Sequence, residues 1–297
     1  MSQYQRLLVI ADPALRHCAA LQRATALAQA SGAALHVASF IEPFASVPLL
    51  DTSIHHATRE RYLQEHRAWL ADQAALLRSK GLTVTTEAVW TKQTLEEILL
   101  HVAEMQPDML IKNVQHEPAF KRAFITPLDW HLLRHCPVPV HLVGIGGRPL
   151  PRKVVAAVDP KYQETQSDGL NERIIDAAHG LALQCDAELH LLHTYDLSPA
   201  YPIDMSGGRL AWPNVLDDLQ HSLEASFIAF AERYGVPAER RHFIMGPPVR
   251  ALCDFVRFHQ SDVLVMGRVQ KEGLDKLIGS TTEHVLYQVP CSILAVK

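Results

Sequence analysis

Short apolar runs alternate along the chain with longer segments whose apolar residues recur every three or four positions. Strand-like runs of the second half are Lys153–Val158, Glu188–Thr194, Arg241–Met245, Asp262–Met266 and Ser292–Val296. Helical spacing fills the stretches between them, at Asp168–Cys185, Trp212–Tyr234, Val249–His259 and Ser280–Gln288. This alternation, with strands that are apolar on both faces, predicts a parallel sheet covered by helices on both sides.

The first half repeats this order of elements. The run Leu7–Asp12 (LLVIAD) matches Val154–Asp159 (VVAAVD), and three later segments also match in the same order. Four matches in one order indicate a duplicated domain. Within them His36 matches His190, which indicates packing or another shared role in the fold. A chain of 297 residues suits two domains of about 150 residues each. We therefore predict domains at residues 1–146 and 152–297, joined by a Gly- and Pro-rich linker.

Composition narrows the class of protein. The formal net charge is −4 and no Lys/Arg-rich run occurs, which argues against nucleic acid as a partner. No apolar stretch approaches the ~18 residues that cross a bilayer, and the first residues lack the pattern of a signal peptide. The five scattered cysteines form no CxxC pair and fit reduced, mostly buried thiols. Together these features predict a soluble cytoplasmic protein.

Candidate ligand contacts lie where the first strand of each half ends. Asp12 and Asp159 close these strands, and a parallel sheet binds ligands beyond the carboxyl ends of its strands. Either aspartate can instead cap the following turn, since Asp-Pro favours turn initiation. Further along, Gly279 can admit an anion to backbone N–H groups or can open a helix with Ser280 as its N-cap. The first half has a Thr-Pro pair there, which removes one N–H group.

Three of these features resemble the universal stress protein family. They are the first-strand aspartate, the run VLVMG (Val263–Gly267), and Gly-Ser before a helix that leads into a Pro-containing strand. The resemblance covers nearly the whole chain as a tandem pair. It implies two Rossmann-like domains of the adenine nucleotide alpha hydrolase-like type, each a five-stranded parallel sheet with helices on both faces. Single-domain members dimerise through their last strand, so Val138–Val143 and Ser292–Val296 should cover each other in a pseudo-twofold pair.

In nucleotide-binding members of the family, a loop of pattern G-x2-G-x9-G-[ST] cradles ATP phosphates and an aspartate contacts the adenosine portion. Carried onto this chain, the cofactor-binding positions are Asp159, Pro160, Gly267, Arg268, Gly279, Ser280 and Thr281. Arg268 and Lys271 would add positive charge. The loop departs from the pattern, because Gln270 stands at the second glycine and the stretch to Gly279 is one residue short. Asn113 and Thr126 replace the first and last glycines of the first half. We expect ATP or AMP binding to be weak or absent, and confined to the second domain.

Two further features suggest binding. The apolar segments Phe44–His56 and Leu197–Pro213 follow the second strand of each half, and we predict that both are loops. They can guard a pocket for a hydrophobic, lipid-like ligand or pack on their own domains. His131 and His135 lie four apart and can share a metal or lie on a helix face; no third ligand accompanies them at a readable spacing, so we predict no metal site.

The sequence therefore predicts a regulatory stress-response protein that binds a small ligand or a partner protein. It contains no nucleophile elbow, Ser/His/Asp pattern or Walker loop, and we predict that it is not an enzyme. A slow ATPase or nucleotide-transferring enzyme of the same architecture is one alternative, and a non-binding scaffold is another. Whether the pseudo-dimer associates further is left open.

Overall fold

A computed structural model of the chain describes residues 4–12, 14, 18–43, 52–114, 127–144, 146–160, 169–196, 213–268, 282, 285, 286 and 288–297. For residues 52–55 and 213–216 only the helical backbone is described. The predicted alternation of strands and helices is confirmed throughout these ranges.

The first half contains five strands and four helices within the described ranges. The strands are β1 (Arg6–Ile10), β2 (Ala34–Ile41), β3 (Val84–Trp90), β4 (Met109–Asn113) and β5 (Val140–Val143). The helices are α1 (Ala19–Ser31), α2 (Thr52–Ser79), α3 (Thr94–Met105) and α4 (Leu128–His135). Because α2 begins at Thr52, the end of the segment Phe44–His56 is helical, and the prediction of a loop there was wrong for its last residues.

The second half repeats this order. Its strands are β6 (Lys153–Ala157), β7 (Glu188–Tyr195), β8 (Arg241–Met245), β9 (Val263–Gly267) and β10 (Ser292–Val296). Its helices are α5 (Leu170–Cys185), α6 (Pro213–Arg233) and α7 (Pro248–Phe258), with a short 3-10 helix at Ala238–Arg240. Of the predicted helix Ser280–Gln288, residues Thr282, Val285 and Leu286 are helical. The strand runs predicted for this half match the observed bounds to within one residue.

All ten strands form one sheet, in the order β3-β2-β1-β4-β5-β10-β9-β6-β7-β8. Strands within each half are parallel, whereas β5 and β10 pair antiparallel, with His141 opposite Leu294. The predicted pseudo-twofold pairing of the halves through their last strands is therefore confirmed. The strand order reverses between β1 and β4 and again between β6 and β9, which places a switch point in each half.

Helices cover both faces of the sheet, as predicted. One apolar core lies under α1, α2, α5 and α6 and includes Leu27, Leu70 and Phe227. The other lies under α3, α4 and α7 and includes Ile98 and Phe255. Each core contains strand residues of both halves, so the hydrophobic interior is continuous across the junction. Burial of the apolar side chains in these two cores supplies most of the favourable free energy of folding.

The five cysteines are free and buried, which agrees with the prediction from their spacing. None of the helices in the described part of the chain is long and apolar enough to cross a membrane.

A buried polar contact crosses the junction between the halves. Arg23 of α1 is fully buried, and its Nη1 donates to Nε2 of His141 (3.0 Å). Since this nitrogen accepts, His141 Nδ1 carries the proton and donates to the carbonyl of Ile293 in β10 (3.1 Å). Arg23 Nη2 also donates to the carbonyl of Arg148 in the linker (2.8 Å). These bonds connect α1, both central strands and the linker.

Candidate functional site

The switch point of the second half brings the ends of β6 and β9 side by side. Ala156 pairs with Val265, so Asp159 and Gly267 lie at the same carboxyl edge of the sheet. The start of α5, with Leu170 and Asn171, lies against both. We call this arrangement of Asp159, Gly267, Leu170 and Asn171 the second-half crevice.

The Asp159 backbone is held on both sides by one side chain. Its N–H donates to Asn171 Oδ1 (3.0 Å), and Asn171 Nδ2 donates to its carbonyl (2.6 Å). Asn171 is buried, whereas Asp159 is exposed and the adjacent Pro160 is buried. The Asp159 carboxylate makes no hydrogen bond to any residue that the structure describes. It is therefore presented at the edge of the sheet by a fixed backbone.

Asp12, the matching residue of the first half, is used differently. Its Oδ1 accepts from the N–H of Ala14 (2.7 Å), which is a local turn contact of the kind that Asp favours. This is the turn-capping role that the sequence offered as an alternative for both aspartates. Residue 161, which would make the matching contact to Asp159, lies outside the described residues.

Gly267 provides space for a neighbouring side chain. A Cβ atom there would lie 2.7 Å from Cδ2 of Leu170 and 3.0 Å from its Cγ, both too close for carbon atoms. The glycine thus lets α5 approach β9 closely. In the first half, Asn113 occupies the matching position, and its Oδ1 accepts from the N–H of Ala20 in the first turn of α1 (2.8 Å).

Replacing Gly267 by alanine should destabilise the chain by about 1–3 kcal/mol, because Leu170 must leave its position to make room. Adding Leu170→Ala removes the obstructing atoms, so the double variant should lose less stability than the sum of the two single changes. Urea unfolding of the four proteins measures this. If the losses in free energy of unfolding are additive, contact with Leu170 is not what excludes a larger side chain at Gly267.

The Arg268 side chain does not face the crevice. The geometry therefore does not support its predicted role as a cation that binds an anion there. Its guanidinium is buried against the first half. Nη1 donates to the carbonyls of Leu133 (3.0 Å) and Cys136 (2.9 Å), and more weakly to that of Leu132 (3.4 Å). Nη2 donates to the carbonyl of Val138 (3.2 Å). Burial lowers the pKa of Arg268, and the carbonyls at the end of α4 compensate its charge.

A buried ion pair distinguishes the first half at its own switch point. Lys112 Nζ lies 2.8 Å from Asp129 Oδ1, with side chains 6% and 0% exposed, and also donates to the carbonyl of Asn113 (3.1 Å). The repeat places Thr282 where Asp129 stands, and its Oγ1 donates to the carbonyl of Gly267 (2.9 Å). Both halves thus fix the carbonyl that ends the fourth strand, one with an ion pair and the other with a hydroxyl.

Neither the ion pair nor the role of Asn171 was predicted from the sequence. The signal for the pair was a lysine inside the apolar run of β4, since a buried lysine requires a partner. No comparable signal marked its partner Asp129, which reads as an ordinary acidic residue in the first turn of a helix.

Several predicted site residues lie outside the described residues, namely Gly279, Ser280 and Thr281, together with Gln270 and Lys271. The same holds for residues 44–51 and 197–212, the greater part of the two apolar segments. Their roles remain predictions.

The two histidines that match in the repeat each have a partner on a neighbouring strand. His36 Nδ1 contacts Thr85 Oγ1 (2.8 Å), and His190 Nδ1 contacts His242 Nε2 (3.0 Å), so both matching histidines bind the neighbouring edge strand. The rings of His131 and His135 are 6.3 Å apart. Within the described ranges, no three His, Cys, Asp or Glu side chains converge as metal ligands would.

An apolar groove of about 480 Å³ lies between β8 and α7. Met245 and Phe258 line it with exposed fractions of 65% and 84%, and Phe255 and His259 also contribute. The groove adjoins the end of β7, because the N–H of Gly246 donates to the carbonyl of Tyr195 (2.8 Å).

Comparison with known proteins places this geometry in a family. The model of the universal stress protein family matches residues 3–144 and again residues 151–297. Universal stress protein E of Escherichia coli K12 is 28% identical over 305 residues, covering 100% of this chain and 95% of that protein. A homologue from Haemophilus influenzae is 22% identical, covering 99% and 98% of the two chains.

Solved structures share the fold over the whole chain. A functionally unknown protein from Pseudomonas aeruginosa PAO1 is similar with a TM-score of 0.77 and 25% identity, covering 100% of this chain and 94% of that one. A universal stress protein from Archaeoglobus fulgidus is similar with a TM-score of 0.67 and 16% identity, covering 99% and 98%.

Proposed function

The chain belongs to the universal stress protein family, which implies a role in the stress response, and we propose that it acts there as a cytoplasmic regulatory protein with one ligand-binding half. In this proposal the second-half crevice binds an adenine nucleotide, ATP or AMP, with low affinity, and the first half binds none. Binding, rather than turnover, conveys the signal to a partner protein.

The exposed Asp159 carboxylate is the observation that carries the proposal. A carboxylate at the end of the first strand can accept hydrogen bonds from ribose hydroxyls, as acidic residues do in related sheet folds. Asn171 fixes the backbone of Asp159, so binding would not need to order it. The Asp12 carboxylate accepts a hydrogen bond within its own turn, which argues against a binding role for the first half.

Low affinity is proposed because little positive charge is available. Phosphate groups need several backbone N–H groups and a positive potential. Arg268 is committed to the carbonyls of α4, which leaves Gly279, Ser280, Thr281 and Lys271 as the proposed phosphate contacts. Gln270, in place of the family's second glycine, also weakens the cradle.

The apolar groove between β8 and α7 favours a second candidate, a hydrophobic ligand. Met245 and Phe258 are unusually exposed for large apolar side chains, and contiguous exposed apolar surface marks interaction sites. A lipid-like molecule held there would make the protein a carrier or sensor of that molecule rather than of a nucleotide.

Native mass spectrometry of the purified full-length protein should distinguish these candidates. The nucleotide proposal expects a complex with one added nucleotide per chain when millimolar ATP or AMP is supplied. A retained mass of lipid size, reduced by Phe258→Ser, would favour the groove. A chain that stays empty under both conditions would favour the scaffold and contradict the proposal.

A further inference from the structure

Helix α4 is held at its two ends by buried cations from different halves of the chain. At its carboxyl end, Arg268 of the second half donates to carbonyls of Leu133, Cys136 and Val138. At its amino end, Asp129 pairs with Lys112 of β4. The helix is eight residues long, about 12 Å, and is short enough to behave as one rigid unit.

Each end of α4 contacts a residue that lies beside a switch point. Arg268 follows Gly267, whose carbonyl accepts from Thr282 in the second half. Lys112 donates to the carbonyl of Asn113, the residue whose side chain holds the first turn of α1 in the first half. The peptide bond between Gly267 and Arg268, the hydrogen bonds of Arg268, the helix α4 and the Asp129–Lys112 pair therefore connect one switch point to the other.

We propose that Arg268 and α4 couple the two switch points, so that a movement of the backbone at Gly267 is transmitted to Asn113. Coupling between distant sites is carried by bonded networks and rigid elements of this kind. The coupling goes beyond the proposed ligand binding and holds whether or not the crevice takes a nucleotide.

Within the described ranges, no charged side chain of the first half makes the matching connection to the second half. Val114 occupies in the first half the position that Arg268 has in the second, and both donate a backbone N–H to the adjacent last strand, at Val143 and Val296. Valine cannot bind the carbonyls at the end of a helix. The first half therefore depends on a cation of the second half, while no such side chain extends from Val114.

Hydrogen exchange of the full-length chain tests the coupling. Arg268→Met should accelerate amide exchange in α4 by about tenfold or more, since it removes several hydrogen bonds from a charged group. The distinguishing result is acceleration at Met109–Asn113, the strand at the far end of α4. Arg268→Lys, which keeps a charge but fewer donors, should give the same pattern with a smaller increase, and it serves if the methionine variant does not fold.

Arg241→Met is the matched control. Arg241 is also partly buried in the second half, and its Nε donates to the carbonyl of Val236 (2.7 Å), but it lies at the outer edge of the sheet. Its removal should leave exchange in α4 and at Met109–Asn113 unchanged. Unchanged exchange at Met109–Asn113 in both Arg268 variants would overturn the proposal, and so would a uniform acceleration across both halves.

Discussion

Replacing Lys112 by methionine is expected to destabilise the chain by about 3–5 kcal/mol, the largest effect that we expect from a single substitution. The change leaves the Asp129 carboxylate fully buried without its cation. It also removes the donor to the Asn113 carbonyl. Urea unfolding monitored by circular dichroism gives the free energy of unfolding of the variant and of the unmodified chain.

The second half supplies the control for this prediction. It has Met266 and Thr282 where the first half has Lys112 and Asp129. The double change Lys112→Met with Asp129→Thr removes both charges and introduces a hydroxyl that can bind the Asn113 carbonyl, as Thr282 does at Gly267. Most of the lost stability should return, because exchanging a whole buried pair costs little. A double variant as unstable as Lys112→Met would show that the pair is not the cause.

Stability is expected to fall steeply as the pH drops below about 6.5, with His141 as a principal cause. Burial, together with the charge of Arg23, lowers the pKa of His141 from 6.5 to about 3. Between these values the unfolded chain binds a proton that the folded chain excludes, so acid favours unfolding. One such group removes about 1.4 kcal/mol of stability per pH unit. The effect is absent above pH 6.5 and is complete near pH 3.

His141→Leu tests the assignment. Leucine is the residue at the matching position of β10, Leu294. The variant loses the acceptor for Arg23 and should be less stable at pH 7. Between pH 6 and 4 its free energy of unfolding should nevertheless fall less steeply than that of the unmodified chain. The difference should be about 1.4 kcal/mol per pH unit, because one proton fewer is taken up on unfolding. His221→Leu is the matched control, because it replaces an exposed histidine outside the core. Equal slopes for His141→Leu and the unmodified chain would assign the acid sensitivity to other histidines, such as the half-buried His242, whose pKa burial lowers to about 4.

The sequence predicted the elements of this fold because its cores are apolar and periodic. In the second half, strands alternate with helices whose apolar residues recur every three or four positions. The same order of elements in the first half supports the assignment of each element. The pairing of β5 with β10 was also predictable, since two apolar last strands need cover.

The roles of buried polar residues were less predictable. The sequence predicts Arg268 as a phosphate contact from the family pattern and its charge, whereas the position of its side chain depends on the first half, 130 or more residues away in sequence. Arg23 and His141 are 118 residues apart and meet only when the halves join. Local patterns cannot reveal such contacts, because their energy comes from the burial that the assembled sheet creates.

Titration of the full-length chain with Mg-ATP tests the central claim most directly, that one half of a duplicated protein keeps a ligand site. Isothermal calorimetry should give one site per chain with a dissociation constant of about 0.1–1 mM. Asp159→Ala should abolish this binding, while Asp12→Ala, the same change at the matching position, should leave it intact. Two sites per chain, or binding that survives Asp159→Ala and disappears with Asp12→Ala, would contradict the claim.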